Sequence, residues 1–218
     1  MHRLCLAIVA AMLPAVAHAQ QTDSQLWLAA NAATTIGKTT VTIESNGRFA
    51  DAAGGFAHAE IGGFASVPVA KGVDVAIGYR HVEDWDRGRA LPNEERLRQM
   101  VTVALGGGLA GRLRFEQRFH SSGGPVGLRL RPNLRYTRPL SAGGLSLFAT
   151  HESYLNFNTT RWGQRGGYER MRNAVGLSIP LSRAIRIDPG YLNQYRFGRG
   201  GARDRMDHAL TLALNYLF

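Results

Sequence analysis

Apolar and polar residues alternate along most of this chain with a period of two, the spacing that sorts side chains to opposite faces of a β-strand. The pattern is clearest in the centre. Arg112 to His120 sets Leu113, Phe115, Gln117 and Phe119 against Arg112, Arg114, Glu116, Arg118 and His120. Val126 to Arg138 sets Val126, Leu128, Leu130, Leu134 and Tyr136 against Arg129, Arg131, Asn133, Arg135 and Thr137. Similar alternation predicts strands over Gln25–Thr35, Thr39–Phe49, Gly72–Trp85 and Arg96–Leu105, and a weaker one, blurred by small residues, over Phe56–Val67. Further strands are predicted over Leu145–Asn156, Tyr168–Ile179, Ile185–Arg196 and from about Met206 to the end.

The last strand carries the most specific pattern. Leu210, Leu212, Leu214, Tyr216 and Phe218 occupy every second position, and the sequence stops on Phe218. Such an apolar face needs an apolar neighbour, and lipid supplies one; an edge strand of a soluble sandwich is the alternative. A closing amphipathic strand ending in Phe resembles the C-terminal signal read by the bacterial barrel-assembly machinery.

The connections sort by length. Ser182-Arg183, Ser141 to Gly144, Gly107-Gly108 and Ala70-Lys71 are short turns, whereas Asp86–Glu94, Phe157–Gly167 and Phe197–Arg205 are longer and charged. Outer-membrane barrels have short periplasmic turns, long outer loops and strands of this length. The sequence therefore predicts an all-β protein: a closed antiparallel transmembrane β-barrel. Eleven segments are legible, but single-chain bacterial barrels have even strand numbers. About 12 strands are therefore expected, with 10 as the alternative; the ambiguity sits before Phe56, where the first strand starts on the wrong side.

The N-terminal segment fits export. A short positive stretch, Met1-His2-Arg3, precedes the apolar run Leu4–Val16, and Ala17-His18-Ala19 has the small-x-small form of a cleavage site. Residues 1–19 are thus read as a signal peptide and 20–218 as the barrel domain, located in the bacterial outer membrane. The one cysteine, Cys5, falls inside that segment, so no thiol, disulfide or cysteine-based metal site is expected in the mature chain.

Charge changes the picture further. Only Lys38 and Lys71 are lysines, so 24 of the 26 basic residues are arginine, and the formal net charge of the full chain is +10. A cytosolic protein with this balance would suggest nucleic acid. Export argues against that partner, and the arginines alternate with apolar residues inside strands instead of forming one stripe. With the apolar face turned to lipid, Arg112, Arg114, Arg118, Arg129, Arg131 and Arg135 face the lumen, with Glu116 the obvious counter-charge. Glu44, Glu60, Asp74, Glu83, Asp84, Glu152 and Asp188 are further acidic candidates.

Several short motifs resemble an uncharacterised exported family catalogued as domain of unknown function 2490. They are Asp23-Ser24-Gln25-Leu26-Trp27, Gly78-Tyr79-Arg80, the run Arg112 to Phe119 followed by Leu128-Arg129-Leu130-Arg131, Asp188 to Gln194, and Asp207-His208. The resemblance implies an outer-membrane barrel and no particular chemistry.

Two functional classes follow. An arginine-lined lumen is either a structural plug, its charge neutralised by Arg–Glu networks, or a narrow path for an anion or acidic solute such as an acidic oligosaccharide. A lipid hydrolase of the phospholipase or lipid A deacylase type needs a nucleophile, a base and an orienting group. His120-Ser121-Ser122 offers the first two, but Leu134 stands where a deacylase's Glu would be, and His151 and its neighbour Glu152 point to opposite faces. The chain is accordingly read as a non-enzyme without metal or cofactor. It is expected to be a monomer whose partners are outer-membrane lipid, lipopolysaccharide and the assembly machinery.

Overall fold

The computed structural model describes residues 21–218; the expected signal peptide lies outside them. The strands are β1 (Gln21–Ile36), β2 (Thr39–Ala50), β3 (Gly55–Ala70), β4 (Val73–Asp86), β5 (Arg89–Ala90) and β6 (Glu94–Gly106). They continue with β7 (Leu109–His120), β8 (Gly127–Pro139), β9 (Ser146–Asn156), β10 (Gly167–Pro180), β11 (Ile185–Arg196) and β12 (Arg205–Leu217). One short 3-10 turn, Asp51–Ala53, links β2 to β3.

Eleven of these strands close into one barrel. Each pairs with its sequence neighbours, β4 pairs with β6, and β1 meets β12. The two-residue β5 only prolongs the β4 loop, through Trp85↔Ala90 and Asp86↔Arg89.

The closed all-β barrel is as the alternation predicts; the even count and uniformly antiparallel pairing need correction. Eleven meandering strands leave the first and last running in the same direction, so the closing seam is parallel. It runs in register from Gln21↔Arg205 to Ala33↔Leu217. This is why the first strand starts on the wrong side: it begins at the long-loop end, beside the start of β12. The two ends of the barrel differ as the loop lengths foretell. Turns 37–38, 71–72, 107–108 and 181–184 crowd one end with Phe218, and the longer links 87–93, 121–126, 157–166 and 197–204 crowd the other.

The barrel is inverted in polarity. Among the described residues, 19 buried side chains are polar or charged and seven are hydrophobic. Leu26, Ile43, Ile61, Ile77, Leu113, Val175 and Leu210 all stand exposed on the outer wall. Glycines let the small barrel close at a few crowded points. At Gly62 a Cβ would press on the Tyr79 carbonyl oxygen and lie 2.7 Å from Arg80 Cα, so only a hydrogen fits against β4.

Candidate functional site: the arginine-lined interior

The pleat of β7 and β8 sends every second side chain inward, and their register sets Glu116 opposite Arg129 and the two cations Arg114 and Arg131 opposite each other, one step from Glu116. Glu116 is fully buried. Its Oε2 accepts hydrogen bonds from Arg129 Nε at 2.8 Å and Nη2 at 2.5 Å, and its Oε1 accepts one from Arg131 Nη1 at 2.8 Å. Arg114 Nη1 stands 3.7 Å away. Arg131 reaches on through Nη2 to Glu152 Oε2 and Tyr154 Oη, both at 2.7 Å.

The six predicted lumen arginines do not form one free track. Arg114, Arg129 and Arg131 gather on Glu116. Arg118 turns toward the long-loop end, where it donates to Glu94 at 2.8 and 2.5 Å and to Gln164 at 2.8 Å. Arg112 and Arg135 lie toward the short-turn end. Arg112 is 3.7 Å from Glu152, and Arg135 lies over the Phe148 ring, 4.2 Å from its centroid.

A second network on the opposite wall was less visible in the sequence. Glu60 on β3 is met by Arg80, by Arg96 at 3.0 Å, by Arg48 at 3.5 Å and by His58 Nε2 at 3.0 Å. Glu44 pairs with both Arg80 and Arg98. Parity alone places these residues on inward faces; which carboxylate meets which guanidinium depends on contacts across the lumen. Glu94, expected at the edge of a loop, begins β6 and faces inward. Glu83 is not a lumen counter-charge: it lies on the outer face, 2.9 Å from His81 Nε2.

Some arginines are held by rings. Arg48 lies 4.0 Å from the Trp27 ring centroid, and Arg172 sits between Trp27 and Tyr154 at 4.7 and 4.8 Å. Aromatic faces attract a desolvated cation without neutralising it. Among the described residues, Arg172 and Arg135 face the lumen with no carboxylate partner; Arg172 Nε instead donates to Gln194 Oε1 at 2.7 Å. Between the two networks lies a cavity of about 360 Å³ lined by eleven arginines and four carboxylates. Its surplus of guanidinium groups suits it to carboxylate, phosphate or sulfate oxygens, which arginine binds in two-pronged fashion.

The remaining sequence candidates fall elsewhere. Leu210, Leu212, Leu214, Tyr216 and Phe218 all stand exposed on the outer wall, and Tyr216 packs edge-on against Phe218 with centroids 4.4 Å apart. His120 Nδ1 lies 2.6 Å from Ser122 Oγ at the long-loop end, while its ring stacks on Trp162 at 5.0 Å. That contact ties down a loop and brings no third group to the pair. Among the described residues no group of three or more His, Cys, Asp or Glu is placed to hold a metal ion.

A relative in Methylorubrum extorquens, an uncharacterised protein, is 36% identical over 143 residues, covering 63% of this chain and 62% of its own length. This chain therefore spans less than two thirds of that relative. The family model described as "Protein of unknown function (DUF2490)" matches residues 24–206, from within β1 to the first two residues of β12, and the chain belongs to that family.

Proposed function

We propose that this protein is a monomeric outer-membrane β-barrel, delivered by a cleaved signal peptide, whose interior binds and passes a small anion or acidic solute. The surplus of arginine over carboxylate around the central cavity carries this reading. In a low-dielectric wall, unneutralised cations raise the local concentration of anions and lower that of cations. The membrane placement is supported by the inverted polarity: an apolar outer wall and a charged interior match lipid outside and water within. A bare β-barrel meets that demand because its backbone groups pair around the closed sheet.

A second reading, a sealed structural plug, draws support from Glu116. Its complete burial beneath three arginines narrows the lumen at that level. Planar-bilayer recording separates the two. An anion path gives a small current with an anion-selective reversal potential, and selectivity falls when Arg114 and Arg172 become Gln. No current, or cation preference, rejects the path and leaves the plug.

A further inference from the structure

The outer wall carries a polar island at mid-strand on β9, within its apolar surface. On β9 the outward positions run Leu147, Ala149, His151, Ser153 and Leu155, so two polar residues sit between three apolar ones. His151 Nε2 lies 3.0 Å from Ser153 Oγ. His151 Nδ1 lies 2.8 Å from Oδ1 of Asn173, its direct cross-strand partner on β10. Ser153 Oγ is also 2.8 Å from the Tyr168 hydroxyl. The alternation that separates His151 from Glu152 is what puts His151 and Ser153 on one face.

These distances form a nucleophile–base–orienter chain. Asn173 has only an acceptor at Oδ1, so it fixes the imidazole with its proton on Nδ1. The Nε2 lone pair is then directed at the serine hydroxyl. A neutral amide costs less to hold on an apolar wall than a carboxylate.

The backbone around the serine is interrupted on both sides. The β8–β9 ladder runs Leu130↔Leu155 and resumes at Asn133↔Glu152, skipping the position where Pro132, which has no N–H, faces Ser153. On the other side a bulge at Glu169, between Tyr168↔Leu155 and Arg170↔Tyr154, brings Tyr168 over Ser153. Bulges of this kind re-aim side chains beside active sites. From Ser153 and His151 an apolar groove of about 320 Å³ runs across β8, β7 and β6, lined by Pro132, Leu134, Leu113, Val103 and Leu105.

We propose that Ser153, His151 and Asn173 form a catalytic triad on the outer wall, and that this protein hydrolyses acyl esters of lipids whose chains lie in the adjoining groove. The substrate class rests on the membrane placement proposed above. Ser153 Oγ attacks the ester carbonyl while its proton passes to His151 Nε2. The acyl carbon–oxygen bond breaks, and His151 returns the proton to the departing alcohol. Water then attacks the acyl-serine with His151 again as base, releasing free fatty acid and restoring the serine. Tyr168 Oη, already beside Oγ, supplies a hydroxyl donor for the oxyanion.

The test uses the mature barrel refolded in detergent. A fluorophosphonate probe should label Ser153, as located by mass spectrometry. Labelling should disappear in Ser153→Ala and His151→Ala, fall at least about tenfold in Asn173→Ala, and persist in Ser122→Ala. Fatty-acid release from phosphatidylethanolamine micelles and from purified lipopolysaccharide then decides which lipid supplies the ester. A wild-type barrel that shows heat-modifiable gel mobility yet takes no label overturns the triad. Labelling without release from either lipid overturns the substrate class. Failure to insert into vesicles overturns the membrane placement, with labelling still reporting on the serine.

Discussion

Replacing Glu116 by Gln should strongly destabilise this barrel. The change keeps shape and removes one charge. Arg129 then loses its hydrogen-bonded anion, Arg131 one of its two, and Arg114 its nearest one, all within a buried cluster. Removing one partner from a buried ion pair costs about 3–5 kcal/mol, because the survivor is left charged and desolvated. Three guanidinium groups share this carboxylate, so the upper half of that range is expected. For a chain of this size each kcal/mol shifts the midpoint by about 2–4 °C, giving a fall of roughly 8–20 °C. The assay is gel mobility of the folded barrel after heating through a temperature series. Adding Arg129→Met to Glu116→Gln should restore part of the loss, with a coupling of about 1–3 kcal/mol. A midpoint within about 2 °C of wild type, or strictly additive effects, would refute Glu116 as the counter-charge of the β7–β8 arginines.

Two further outcomes test the architecture. The parallel seam places Leu28 opposite Leu212, and neighbouring strands lie about 4.8 Å apart, within disulfide reach. Leu28→Cys with Leu212→Cys should therefore cross-link on oxidation in a barrel refolded from residues 20–218, which hold no other thiol; absence of the cross-link would reject the eleven-strand closure. Gly62→Ala should lower the melting midpoint by an amount equivalent to about 1–3 kcal/mol, since its Cβ meets rigid backbone. Gly111→Ala, whose Cβ would lie 3.5 Å from a Leu105 methyl group, should stay within about 0.5 kcal/mol. Equal effects would show that close approach of β3 and β4 is not what requires the glycine.

Much of this molecule is written in the alternation itself. A period of two assigns each strand residue to a face without reference to any other strand, so Arg112, Arg114, Arg118, Arg129, Arg131 and Arg135 could be placed inward from the sequence. The same rule found the outward row Leu210 to Phe218, and the loop lengths fixed which end of the barrel is which. Eleven legible segments already matched the wall.

What the sequence left open depends on contacts between residues far apart in the chain. The parallel seam joins Gln21 to Arg205, and no local pattern reports how the first strand meets the last. Arg131 bridges Glu116 and Glu152, and Glu60 collects Arg48, Arg80 and Arg96, because closure of the barrel sets which inward groups face each other across the lumen. Asn173 becomes the partner of His151 only through the β9–β10 register, and Tyr168 reaches Ser153 only through a bulge. Periodicity is a one-strand property and fixes direction; pairing is a property of the closed sheet and fixes distance, and chemistry needs both.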